Sequence, residues 1–194
     1  EYMYHNNIEE GINFFLEQTK MPGIYYSVDI KGYKLIVLGS ESFVGEGALS
    51  TAQINWFRNE MSNVDKSKPT FIFIHQPLYN TVSGSLMGQT WDGFRNDQET
   101  LRSILKDHKN AIVFSGHTHW SLNENQPVLF GNGLDASFVN LGSVGYLWND
   151  ENKQEPGSQG MFIEIYEDYV LLKGRDFQED AWVSNAQFIF KIFK

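Results

Sequence analysis

Apolar residues follow two different regimes along this chain, and the change falls near residue 115. Before it, helical and extended patterns alternate. Asn7-Ile8-Glu9-Glu10 reads as a helix start, with Asn7 as N-cap and Glu10 three residues on. Ile8, Ile12, Phe15 and Leu16 then share one face, and the helix stops before Met21-Pro22-Gly23. Ile24 to Ile30 alternates in the manner of a strand, Lys31-Gly32 reads as a hairpin turn, and Tyr33 to Leu38 is the return strand. Ser50 and Gln53 have the spacing of a capping box, flanked by Leu49 and Ile54 as a hydrophobic staple, and Ile54, Phe57 and Met61 continue that face.

Two uninterrupted apolar runs follow, Phe71-Ile72-Phe73-Ile74 and Ala111-Ile112-Val113-Phe114. Runs of this length without alternation fit strands covered on both faces of a parallel sheet. Between them the pattern predicts a helix from Asn96, with Glu99 as its box partner, carrying Leu101, Ile104 and Leu105 and ending near Lys109-Asn110. Residues 33–115 thus read as βαβαβ with two parallel crossovers. Over 124–194 the strand patterns at 128–130, 136–141, 161–166, 169–173 and 187–193 have no helix between them. That stretch is expected to be antiparallel, with a tight turn at Glu167-Asp168 and a mobile surface loop over 148–160.

Composition narrows the chemistry. The 194 residues suit one domain spanning 1–194. Fifteen Lys and Arg against 24 Asp and Glu give a net charge of −9, which argues against general binding to nucleic acid or an anionic membrane. There is no Cys, which excludes disulfide scaffolds, thiolate metal sites and Cys nucleophiles. No run approaches a membrane span, no signal segment opens the chain, and no Asn-x-Ser/Thr site occurs. These features leave the compartment open; the expectation is a soluble protein, of a bacterial cytoplasm or cell exterior. The first residue is Glu1 rather than Met, as in a processed or excised piece.

Candidate chemistry sits just beyond the two apolar runs: His75-Gln76-Pro77 after the first and Gly116-His117-Thr118-His119 after the second. Ligands in open α/β sheets bind beyond the carboxyl ends of the strands, so His75, His117 and His119 are expected to converge there. In an extended chain, His117 and His119 would point the same way about 6–7 Å apart. That span fits two metals about 3.5–4 Å apart. Gly116 is expected to let the backbone turn. His5 and His108 read as surface residues.

These two loops, in this order with a helix between, resemble the calcineurin-like metallophosphoesterases. Leu49 to Phe57, Phe138-Val-Asn-Leu-Gly142-Ser143 and Gly174-Arg175-Asp176-Phe177 are also similar to segments of that family. The resemblance implies an α/β fold: the C-terminal half of a four-layer α/β/β/α sandwich, a parallel βαβαβ segment followed by antiparallel strands. The family's Asp-x-His, Gly-Asp-x-x-Asp and Asn-His motifs do not occur in the chain. Its expected first partner is therefore the N-terminal half of the same domain. The resemblance further implies a two-metal site with iron, manganese or zinc. His75 and His117 would serve one ion and His119 the other. The reaction would be hydrolysis of a phosphorylated small molecule or a phosphodiester. On this reading no catalytic residue beyond the ligands is assignable in this chain, which by itself would be metal-poor, inactive and prone to self-association.

Trp91, Arg95, Trp120, Tyr146 and Trp148 are candidates for a substrate rim, with packing as the competing role of each aromatic. Metallo-β-lactamase-like hydrolases, amidohydrolases and cupins also use His-x-His, but their surrounding patterns fit worse. The alternative of another class is a non-catalytic accessory or interaction domain with a vestigial histidine cluster.

Overall fold

The structure, a computed structural model, describes residues 7–41, 47–89, 94 and 96–194. In chain order the elements are α1 (Ile8–Thr19), β1 (Tyr26–Ile30), β2 (Tyr33–Leu38), α2 (Thr51–Ser62), β3 (Thr70–Ile74), α3 (Gln98–Leu105) and β4 (Ala111–Ser115). Then come β5 (Val128–Leu129), β6 (Ser137–Asn140), β7 (Leu147–Trp148), β8 (Gln154–Glu155), β9 (Gln159–Ile165), β10 (Tyr169–Asp176) and β11 (Ala181–Lys191).

Local signals set several of these boundaries. Asn7 Oδ1 accepts the Glu10 N–H at 2.9 Å, as an N-cap does, and α1 ends at Lys20 in the left-handed region. Of that helix only Gly11 is fully buried; Ile8, Ile12 and Leu16 are half-buried and Phe15 is exposed, so the expected apolar face is only partly covered. Lys31 and Gly32 both take positive φ, 53° and 82°, the geometry that matches strand twist in a two-residue hairpin. Ser50 caps α2 by accepting the Gln53 N–H at 3.2 Å. The reciprocal half of that box is not made by Gln53. Glu41 takes the Ser50 N–H at 2.6 Å, while the buried Gln53 amide bonds both backbone groups of Gly39. α3 departs from expectation more plainly. It starts at Gln98 rather than Asn96, its cap residue Asp97 makes no side-chain cap, and it ends at Leu105. Asp97 instead accepts the Leu49 N–H at 3.2 Å, tying the start of α3 to that of α2.

Among the described residues the strands form three sheets, the largest ordered β1-β2-β3-β4-β6-β5. β2, β3, β4 and β6 run parallel, with β1 and β5 antiparallel at the edges. β6 corrects the expectation that 124–194 is wholly antiparallel: it continues the parallel sheet beside β4, reached by a crossover that contains no helix. The antiparallel pattern holds for β9, β10 and β11, which form the second sheet. The region 148–160 is likewise more ordered than a surface loop, because Trp148 and Gln154 pair in the β7–β8 hairpin.

Two cores follow from this layering. α2 and α3 cover one face of the large sheet through Phe57, Met61, Leu101, Ile104 and Leu105, which meet Ile36, Ile72, Ile74 and Val113. The second sheet covers the other face through Val170, Leu172 and Phe190, against Phe71, Ile112, Phe114 and Val139. Both runs read as doubly covered strands are therefore buried from both sides. No helix among the described residues is long and apolar enough to cross a membrane.

Candidate metal centre

β3 and β4 are parallel neighbours, with Ile74 opposite Ser115, so the loops that leave them start side by side. Gly116 N–H donates to the His75 carbonyl at 3.0 Å and joins the two loops at their first residues. His117 Nδ1 lies 3.2 Å from His75 Nε2, with the rings nearly perpendicular at 75°.

The Gly-His-x-His segment is not extended. His117 and His119 sit in the left-handed region, at φ 65° and 58°, and Thr118 N–H turns back to the Gly116 carbonyl at 2.7 Å. This overturns the alternating geometry expected from the sequence. Gly116 itself has neither positive φ nor crowding at its Cβ position, so the turn is made by the histidines. A non-glycine residue in this region costs about 1–3 kcal/mol and persists where surrounding contacts over-determine it. Those contacts are present. Trp148 N–H donates to the His119 carbonyl at 2.8 Å, and Asn140, at the end of β6, donates to the Trp120 carbonyl at 2.8 Å. Gln159 accepts the Leu122 N–H at 2.8 Å, and Thr118 is buried against Gly84.

All three imidazoles are held neutral at pH 7. His75 is exposed as a residue, yet desolvation of its imidazole, and after it repulsion from His119 when both are protonated, bring its pKa down to about 4. Burial and the adjoining His75 bring His117 down to about 4. His119 is lowered too, by burial first and then by His117. Its Nδ1 is buried without a hydrogen-bond partner among the described residues, and its ring lies 4.4 Å from that of Tyr146.

Neutral imidazole is the form that binds a divalent metal. Two imidazole nitrogens, each about 2.0–2.1 Å from a shared zinc-type ion, stand roughly 3–3.4 Å apart. The His75–His117 separation of 3.2 Å fits that requirement, and it fits a direct hydrogen bond between the rings equally well. The orphaned nitrogen of His119 fits a metal ligand as well. Among the described residues no group of three or more His, Cys, Asp or Glu side chains is close enough to hold an ion. The donors present are thus a pair, with His119 beside it.

The rim candidates divide. Trp120 is not a rim residue: it is 0% exposed, stacks on Trp148 at 6.4 Å and donates Nε1–H to Asp150 at 2.8 Å. Its indole points into the domain because the backbone reverses at His119. Tyr146 is exposed, with its ring beside that of His119, and Trp148 is half-buried. Trp91, Arg95 and His5 lie outside the described residues. Sequence reading passed over Asp150, Asn140 and Gln159, which fix the histidine loop. Asn140 lies within the family-like segment Phe138 to Ser143, whereas Asp150 and Gln159 are ordinary polar residues with no local pattern to mark them. The segment that follows β3 is largely packed inward over its described residues 79–89, with Thr81, Val82, Ser83 and Ser85 buried.

The calcineurin-like phosphoesterase family model matches residues 4–121. Purple acid phosphatase 22 of Arabidopsis thaliana is 26% identical over 106 residues, 53% of this chain and 22% of that protein. Probable purple acid phosphatase 20 of the same plant is 24% identical over 110 residues, 54% of this chain and 24% of its own length. The structure of purple acid phosphatase PPD1 from yellow lupin (Lupinus luteus) seeds superposes with a TM-score of 0.56 at 14% identity, covering 86% of this chain and 32% of that one. The matched segments thus span about a quarter of the curated relatives. The lupin structure shares the fold, a parallel sheet followed by antiparallel strands. The family match takes in both histidine loops, and on it the chain belongs to the calcineurin-like phosphoesterases.

Proposed function

We propose that this chain contributes His75, His117 and His119 to a two-metal centre that hydrolyses phosphate esters in the complete protein. His75 and His117 serve one divalent ion and His119 the other, with iron, manganese or zinc as the candidate metals. The supporting observation is the approach of two neutral imidazoles to 3.2 Å at the ends of adjacent parallel strands, beside a third whose buried nitrogen has no partner among the described residues. When bound, such ions lower the pKa of water and stabilise charge on the phosphoryl oxygens.

The chain's own residues have distinct parts in this reading. The parallel pairing of β3 and β4 fixes the spacing of the His75 and His117 loops. Burial keeps the rings deprotonated, ready to coordinate without first losing a proton. In this reading Tyr146, exposed beside His119, and the half-buried Trp148 would border a phosphorylated small molecule or a phosphodiester. The remaining ligands would come from outside these 194 residues, from the other half of the domain.

The test is metal content and aryl phosphate hydrolysis by the complete protein and its His117→Ala variant. Loss of one metal equivalent together with a loss of turnover of at least 100-fold is expected. Wild-type turnover in the variant would overturn the assignment. A folded, metal-free and inactive complete protein would favour an interaction domain instead. The 194-residue chain alone, titrated with manganese in a calorimeter, is expected to show no stoichiometric two-ion binding and no hydrolysis.

A further inference from the structure

Asp150 occupies the turn between β7 and β8, more than thirty residues from the nearest proposed ligand. Its carboxylate collects four hydrogen bonds. Oδ1 accepts from Trp120 Nε1 at 2.8 Å and from Gln89 Nε2 at 2.9 Å. Oδ2 accepts from Asn125 Nδ2 at 2.6 Å and Asn125 N at 3.2 Å. The Asp150 N–H in turn donates to Glu124 at 2.8 Å. Gln89 lies in the loop that follows the His75 strand, and Trp120 and Asn125 lie in the loop that carries His117 and His119. One side chain therefore ties together the two loops that leave β3 and β4.

The same hairpin holds the backbone on both sides of Trp120. Trp148 N–H donates to the His119 carbonyl, and the Trp148 carbonyl accepts the Ser121 N–H, each at 2.8 Å. Between these bonds the Trp120 indole is anchored by Asp150, so residues 119–121 are held at three points by Trp148 and Asp150. His119 needs such a hold, because its φ of 58° is unfavourable for a non-glycine residue.

We infer that Asp150 is a positioning residue for the metal centre, holding His119 in its left-handed conformation through Trp120 and locking the His75-side loop through Gln89. The link to metal rests on the function proposed above; the link to loop geometry does not. Partners that orient a metal ligand typically change metal affinity or activity about 10–100-fold when removed. Asn at position 150 would keep an oxygen for Trp120 and Gln89 but would set an amide N–H₂ against the two Asn125 donors, so its effect should be intermediate.

The experiment uses the complete protein and the variants Asp150→Ala, Asp150→Asn and Trp120→Phe. Amide hydrogen exchange is followed over residues 118–122 without metal, with the amides of β3 and β4 as an internal reference, and manganese affinity is measured by calorimetry. Asp150→Ala is expected to speed exchange over 118–122 at least tenfold, leave the reference strands within about twofold, and weaken manganese binding about 10–100-fold. Asp150→Asn should fall between it and the wild type. Trp120→Phe should loosen the same amides and add little on top of Asp150→Ala. Unchanged exchange in Asp150→Ala, or a uniform rise that includes β3 and β4, would overturn the positioning role. So would a loosened loop with wild-type manganese affinity. A wild-type protein that binds no manganese would remove the metal reading alone, and the exchange data would then decide the role of Asp150 separately.

Discussion

A Cβ placed on Gly84 would lie 2.5 Å from the Cβ of Thr118, the residue between the two histidines of the Gly-His-x-His loop. The segment after β3 is thus packed directly on the turn after β4, with the Thr118 side chain against the Gly84 backbone.

Gly84 also has φ 91°, so replacing it incurs both a backbone and a packing penalty. Gly84→Ala is expected to destabilise by about 1–3 kcal/mol from overpacking, in addition to the cost of a side chain at positive φ. Gly88 is the natural control, since its φ is 90° but nothing among the described residues lies within 4 Å of its Cβ position. Urea unfolding of the two variants should show Gly84→Ala clearly the weaker; equal midpoints would mean that Thr118 gives way freely.

Stability should fall with acid over a defined window. His75 and His117 have folded pKa values of about 4, below the ordinary value near 6.5, so the unfolded chain binds more protons between those limits. The contribution is fully present above about pH 6.5 and is lost as pH falls toward and through about 4. Denaturant titrations from pH 4 to 8 should therefore show stability rising to about pH 7. The slope should be shallower in His117→Ala; an unchanged slope would show that these rings do not carry it.

Trp120→Ala should be costly to the fold, because a fully buried aromatic is lost together with the hydrogen bond to Asp150. A loss of about 3–5 kcal/mol is expected. Tyr146→Ala, at an exposed position, should shift stability by less than about 0.5 kcal/mol. Thermal unfolding of both separates a buried packing residue from an exposed one.

Self-association is expected of this 194-residue chain. β1 and β9 are edge strands of their sheets, and Val28 (36%), Ile30 (51%), Phe162 (49%) and Ile163 (37%) on them are exposed. Tyr33 and Leu35, on the face that the second sheet covers elsewhere, are only partly buried. Unpaired edges with apolar side chains template pairing with another chain. Sedimentation over a concentration series should show association that Ile30→Lys and Phe162→Lys reduce. A monomer throughout would show that these edges are adequately protected.

The sequence by itself determined the framework. Phe71 to Ile74 and Ala111 to Phe114 are apolar without interruption, as a doubly covered strand allows, and both became neighbouring parallel strands. That placement puts His75 and His117 at adjacent strand ends, and the caps at Asn7 and Ser50 were legible because capping is a contact over three residues. Tertiary structure alone decided the left-handed backbone of His117 and His119, the burial of Trp120, the parallel placement of β6 and the hub at Asp150. The reason is range. Asp150 and Gln89 are 61 residues apart and Asn140 and Trp120 are 20 apart, and no local period records such pairings. Periodicity fixes which face of an element is buried; the conformation of the loops between elements is set by whichever distant polar groups the packed sheets bring within hydrogen-bonding reach.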